Sequence, residues 1–124
     1  MSGIYIHIPF CKKACHYCDF HFSTSFKHKD QMINSLKHEI LIRNRELKDE
    51  KIESIYFGGG TPSVLNIREI NSLIETVYDN YLVNDSVEIT LEANPDDLTD
   101  EKILELFNSK VNRLSIGVQS FFEK

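Results

Sequence analysis

Short runs of alternating apolar and polar residues take turns with longer runs of helical periodicity along the whole chain, and that order leaves few folds open. Ile4-Tyr5-Ile6-His7-Ile8 alternates as a strand, as do Ile52 to Phe57, Val87 to Glu92 and Arg113 to Gln119. Between them, about Asp30 to Leu47 places Met32, Ile33, Leu36, Ile40 and Leu41 on one helical face. Ile67, Ile70, Ile74, Val77, Tyr78 and Tyr81 form a second ladder. Thr99 is set to cap a third helix, with Asp100 and Glu101 in the first turn, where the helix dipole favours negative charge. Ile103, Leu104 and Phe107 are its expected buried face. A β-α-β-α-β-α-β order implies a parallel sheet with right-handed crossovers. The long irregular stretch is expected from Pro9 to about Lys29.

The strands carry a second constraint. Parallel strands covered on both faces read as continuous apolar runs, and these do not. Ile4, Ile6 and Ile8 oppose Tyr5 and His7; Ile55 and Phe57 oppose Ser54 and Tyr56. Val87, Ile89 and Leu91 oppose Glu88, Thr90 and Glu92, and Leu114, Ile116 and Val118 oppose Arg113, Ser115, Gly117 and Gln119. The apolar faces should carry the helices. The opposite faces then form a shared polar wall, whereas a filled eight-stranded barrel packs its interior with branched apolar side chains. A polar wall points to an open barrel that holds a ligand.

The chain has 3 cysteines, Cys11, Cys15 and Cys18, all in the loop after the first strand. They are one ligand short of a closed structural zinc site. On a cubane iron–sulfur cluster they would leave one iron open. The loop follows the C-terminal end of a strand, where α/β proteins build their sites, and this favours the cluster. Zinc completed by His16 or His21, as in a zinc-stabilised interaction module, and three unrelated thiols are the other readings. Tyr17 lies inside the loop, placed to shield a cluster or lie against a flat ligand. Gly58-Gly59-Gly60-Thr61-Pro62 closes the second strand. Glycines there let backbone approach a ligand, or simply make the turn into the next helix; the Gly-Lys-Ser/Thr of a phosphate loop is absent. Glu92 and Gln119 end the third and fourth strands, where a carboxylate can accept hydrogen bonds from hydroxyl or ammonium groups; a solvated or paired polar group is the plainer reading of each.

A net charge of -5 argues against a nucleic-acid surface. No apolar run approaches a membrane span, and no basic leader precedes the first strand. An odd number of clustered thiols does not form a disulfide framework, so a reducing, cytoplasmic setting is expected. Because Phe121-Phe122-Glu123-Lys124 follows directly on a strand, residues 1–124 read as one domain, incomplete at its C-terminus.

Tyr5-Ile6-His7-Ile8-Pro9-Phe10-Cys11, with Cys15, Tyr17 and Cys18, resembles the signature of radical S-adenosylmethionine (radical SAM) proteins. Gly58 to Ser63, Leu91-Glu92-Ala93-Asn94-Pro95 and Ser115-Ile116-Gly117-Val118-Gln119-Ser120-Phe121 match further blocks of the branch around oxygen-independent coproporphyrinogen III oxidase, in order. The resemblance implies the N-terminal part of a partial (β/α)6 TIM-like barrel. It implies a [4Fe-4S] cluster on Cys11, Cys15 and Cys18, with SAM on the open iron, cleaved by one electron to methionine and a 5′-deoxyadenosyl radical. It places Gly59, Gly60 and Thr61 at the methionyl end of SAM, Glu92 and Gln119 at its polar groups, Tyr17 near the adenine, and Tyr5 and His7 toward the cluster. The branch's oxidase carries an additional cysteine at the position held here by Phe20. That departure resembles the haem-chaperone subfamily, whose members bind haem and pass it to targets such as respiratory enzymes. Haem delivery is therefore the favoured expectation, with porphyrinogen decarboxylation as the alternative; either needs an electron donor protein for SAM cleavage.

Overall fold

The computed structural model describes residues 2–8, 18–47, 49–60, 62 and 65–116, with side chains of the first helix taken from residue 29 onward. Four parallel strands form one sheet in the order β1-β2-β3-β4: β1 (Ser2–Ile8), β2 (Lys51–Gly59), β3 (Leu82–Ala93) and β4 (Arg113–Ile116). The crossovers run through α1 (Cys18–Ile42), α2 (Ile67–Asn80) and α3 (Asp100–Phe107). The expected strand–helix order is present.

In β1 to β3 the alternation sorts the faces as expected, whereas in β4 Leu114 and Ile116, expected under a helix, are 38% and 47% exposed. Ile6, Ile8, Ile55, Phe57, Ile89 and Leu91 are buried with Ile70, Leu73, Ile74 and Val77 of α2 and Ile33 and Ile40 of α1. Burying apolar area is the dominant favourable term in folding, so this face sets the sheet's register. Tyr81 donates its hydroxyl hydrogen bond to the Ile40 carbonyl at 2.8 Å, tying the end of α2 to α1. Ahead of β4, Asn112 accepts from the Ile89 N–H at 2.8 Å and donates to the Val87 carbonyl at 2.9 Å, stitching that turn onto β3.

Asn66 opens α2 with a reciprocal capping box. Its side chain accepts from the Glu69 N–H at 2.9 Å, while the Glu69 carboxylate accepts from the Asn66 N–H at 2.8 Å. Lys29 of α1 lies 3.3 Å from the same carboxylate. Removing the cap by Asn66→Ala should lower stability by about 1 kcal/mol, read as an earlier urea midpoint, with Asn66→Asp retaining most of it.

Local expectations are corrected in several places. The segment expected as loop to about Lys29 is helical from Cys18, and α1 ends at Ile42, with a 3-10 turn at Asn44–Leu47 in place of its last stretch. No Gly or Pro falls between Pro9 and Gly58, so nothing local stops a helix there even where apolar periodicity is weak. Leu41, expected on the buried face of α1, is 48% exposed. β3 begins at Leu82, not Val87, because Leu82 and Val83 pair with Lys51 and Ile52 before a register shift leads into Glu88 opposite Ser54. In α3 the expected buried face is exposed: Ile103, Leu104 and Phe107 face solvent and Leu106 is the buried residue. Lys102, one turn before Leu106 on the same side, donates to the Leu65 carbonyl at 2.5 Å. Burial lowers the Lys102 pKa from its ordinary value. The fourth strand is described only to Ile116, and its expected continuation to Gln119 lies outside the described residues.

Candidate functional site

The polar face of the sheet gathers the strand side chains that the alternation singled out. Tyr5 pairs with Tyr56 across β1 and β2, and His7 pairs with Gly58. The Tyr5 and Tyr56 rings are stacked, with centroids 5.8 Å apart and planes 13° apart; the His7 ring lies 6.0 Å from Tyr5. Tyr56 donates its hydroxyl hydrogen bond to Glu92 Oε2 at 2.7 Å, and the Gly59 N–H donates to Glu92 Oε1 at 3.2 Å. Farther down the wall Arg113 bridges Glu88 at 2.8 Å; that pair is more than half exposed, a setting in which ion pairs contribute little. The shared wall expected from the sequence is thus present for Tyr5, His7, Tyr56 and Glu92.

The glycine turn owes its residues to close approach. Gly59 has φ +114°, a left-handed conformation that L side chains rarely adopt. A Cβ there would sit 2.7 Å from the Ile8 carbonyl oxygen and 2.9 Å from the His7 ring. The next residue, Gly60, donates its N–H to that same Ile8 carbonyl at 2.7 Å. The turn is therefore docked on the last residue of β1, directly ahead of the cysteine loop. At Gly58 a Cβ would meet the Tyr5 hydroxyl at 2.6 Å and the Tyr56 ring at 2.9 Å, so the aromatic pair occupies the space a side chain would need.

Glu92 accepts hydrogen bonds from both the aromatic pair and the glycine turn. A carboxylate offers about four acceptor positions, and the Tyr56 and Gly59 donors use part of that capacity. The rest can receive an ammonium or hydroxyl group of a ligand lying on the turn. The Tyr56 phenol is held above its ordinary pKa, chiefly by its hydrogen bond to Glu92, with a bond from Ser115 acting the other way. Tyr56 thus remains a donor at neutral pH.

Of the residues expected at the site, Tyr5, Gly59, Gly60 and Glu92 are brought together, with His7 beside them. Cys11, Cys15, Tyr17, Thr61 and Gln119 lie outside the described residues, and only the backbone of Cys18, the first residue of α1, is described. Among the described residues no group of three or more His, Cys, Asp and Glu side chains is arranged for a metal. Tyr56 was not among the expected ligand-facing residues. Its strand position, on the polar face just before the glycines, was the available signal. A cavity of about 420 Å³ lies along the free edge of β1, lined in part by Leu36, Ile40, Leu47 and Tyr81. Arg43 pairs there with Glu39 and Glu46, and Tyr5 and His7 of the polar face also line it. No helix among the described residues is long and apolar enough to cross a membrane.

A cofactor with a polar amino-acid end fits what the chain presents here: a backbone cradle that a Cβ would fill, a carboxylate with acceptor capacity to spare, and a donor set of three thiols one ligand short of closure. Comparison with known proteins agrees. Residues 5–124 match the radical SAM superfamily. The chain is 40% identical over 120 residues to the heme chaperone HemW of Lactococcus lactis, covering 97% of this chain and 31% of the relative. It is 35% identical over 121 residues to the oxygen-independent coproporphyrinogen III oxidase of Escherichia coli, covering 96% of this chain and 26% of that protein. The chain thus spans less than a third of either relative. In structure it is similar to coproporphyrinogen III oxidase (HemN) from Escherichia coli, a radical SAM enzyme, with a TM-score of 0.79 and 33% identity over 94% of this chain and 27% of that one. The strand order and faces described above are those of a portion of that TIM-barrel fold. By a family match that runs through all of its strands, this chain belongs to the radical SAM superfamily.

Proposed function

We propose that this chain forms the cluster- and SAM-binding part of a haem-handling protein, of the chaperone type. The observation that carries the SAM assignment is the Glu92 carboxylate, held by the Tyr56 hydroxyl and the Gly59 N–H beside a glycine turn docked on the end of β1. In this reading Cys11, Cys15 and Cys18 hold the [4Fe-4S] cluster, and Gly59, Gly60 and Thr61 receive the methionyl end of SAM. Glu92 and Gln119 accept from its polar groups, Tyr17 lies near the adenine, and Tyr5 and His7 face the cluster. Bound together, the cluster and SAM supply one-electron chemistry. The chain's own residues bind and orient, and residues 1–124 form the N-terminal part of the radical SAM core. A reduced, cytoplasmic setting, an electron donor protein and haem-accepting respiratory proteins complete the reading.

The choice of haem delivery rests on Phe20, which stands where the oxidase branch has a further cysteine. The second reading, oxidative decarboxylation of coproporphyrinogen III to protoporphyrinogen IX, is favoured by the similarity to HemN in structure. Anaerobic incubation of the intact, reconstituted protein with SAM, a reductant and coproporphyrinogen III separates them. No vinyl product is expected there, with haem bound when the same protein is titrated with haem instead, and vinyl product overturns the chaperone reading. Metal analysis of the same preparation should give iron and sulfide; stoichiometric zinc without sulfide would overturn the cluster itself.

A further inference from the structure

We propose that Tyr56 is a positioning residue for cofactor binding: its phenol fixes the orientation of Glu92, so that one carboxylate oxygen is committed to Tyr56 and the other to the glycine turn. The proposal rests on the reading of Glu92 as a SAM-facing group. It deepens that reading by naming what holds the carboxylate in place.

The geometry makes the roles unequal. Glu92 is on β3, diagonal to Tyr56 on β2, whose direct partner is Thr90. A glutamate has three side-chain torsions and loses considerable freedom when held in one arrangement. Two donors from different places hold it here, the Tyr56 hydroxyl at 2.7 Å and the Gly59 N–H at 3.2 Å. The phenol is itself set from the opposite side by the stacked Tyr5 ring. Gly58 leaves the room both rings occupy, since a Cβ there would lie 2.9 Å from the Tyr56 ring. Tyr56 is half-buried and Glu92 likewise, so their bond is partly shielded from competing water. Hydrogen bonds to charged groups are roughly twice as strong as neutral ones. Among the described residues, Tyr5, His7, Glu88, Glu92 and Arg113 are the ionisable side chains that share this face with Tyr56.

Tyr56→Phe keeps the ring and its stack and removes the hydroxyl, with its bond to Glu92 and the one from Ser115. Three forms of the intact, cluster-loaded protein test the proposal: Tyr56→Phe, Glu92→Gln and the double variant. SAM affinity is measured by equilibrium dialysis. Tyr56→Phe should weaken SAM binding on the order of tenfold. Added to Glu92→Gln it should change little, because the two residues act as one unit. An independent readout needs neither cluster nor SAM. In an alkaline absorbance titration one phenol should ionise later in the wild type than in Glu92→Gln, because the neutral amide no longer opposes the phenolate. Wild-type SAM affinity in Tyr56→Phe together with a large loss in Glu92→Gln overturns the positioning role and leaves Glu92 as a cofactor contact. Wild-type affinity in both overturns the Glu92 reading and the Tyr56 role with it. Identical phenol titrations in the wild type and Glu92→Gln overturn the bond on which the proposal stands.

Discussion

Phe57→Ala should destabilise the protein by about 3–5 kcal/mol, the range for truncating a buried aromatic side chain and leaving a cavity. Phe57 is fully buried on β2, an inner strand of the sheet, where its backbone partners are Ile6 of β1 and Leu91 of β3, both buried as well. Both neighbours are held in the sheet by backbone pairing, which places the cost toward the upper part of the range. Phe57→Leu keeps most of the apolar volume and should cost about 1 kcal/mol. Urea denaturation of both variants provides the check. A Phe57→Ala loss near that of Phe57→Leu would show that this residue does not anchor the core. The expected loss is a large fraction of the ~5–15 kcal/mol that holds a typical domain together.

Gly59→Ala should act on both stability and cofactor binding. The left-handed backbone costs a residue with a Cβ about 1–2 kcal/mol. The added carbon would stand 2.7 Å from the Ile8 carbonyl oxygen, a backbone atom inside the sheet that cannot turn aside. Overpacking of that kind costs about 1–3 kcal/mol more. Relief comes by lifting the turn from β1, which breaks the 2.7 Å bond from Gly60 to Ile8 and moves the Gly59 N–H from Glu92. Denaturation should therefore show a loss of about 2–5 kcal/mol, and SAM binding by the reconstituted protein should fall below detection. Gly58→Ala is the informative contrast. Its nearest contacts are the ends of the Tyr5 and Tyr56 side chains, not backbone. It should unsettle the aromatic pair and Glu92 more than the strand itself. Equal effects of the two substitutions on stability would remove the argument from the positive φ.

Much of this arrangement is legible in the linear pattern. The alternation of Ile4, Ile6 and Ile8 with Tyr5 and His7, and of Ile89 and Leu91 with Thr90 and Glu92, places side chains on opposite faces, because successive residues of a strand point opposite ways. Glu92 and the glycines were identified for the same reason: they end strands, where parallel sheets present their sites. The misread parts depended on something other than local pattern. α1 begins at Cys18, inside a stretch without Gly or Pro whose amino end carries the apolar spacing only as Phe22 and Phe26. β3 reaches back to Leu82 through pairing with β2, a contact with no local signature. In α3, Ile103, Leu104 and Phe107 form a good apolar stripe, yet Leu106 is the residue that is buried; the docking angle of a short helix is set by its neighbours.

The order of residues thus settled the parallel architecture, which face of each strand is apolar, and the types of group available for chemistry. All of these follow from the periodicity of the backbone and from side-chain identity. Only the folded chain decided that Tyr56 on one strand holds Glu92 on the next, and that Gly59 must be glycine because a carbonyl from β1 occupies the space of its Cβ. Both are contacts between segments far apart in the chain. Register and close packing create such contacts, and no local pattern encodes them.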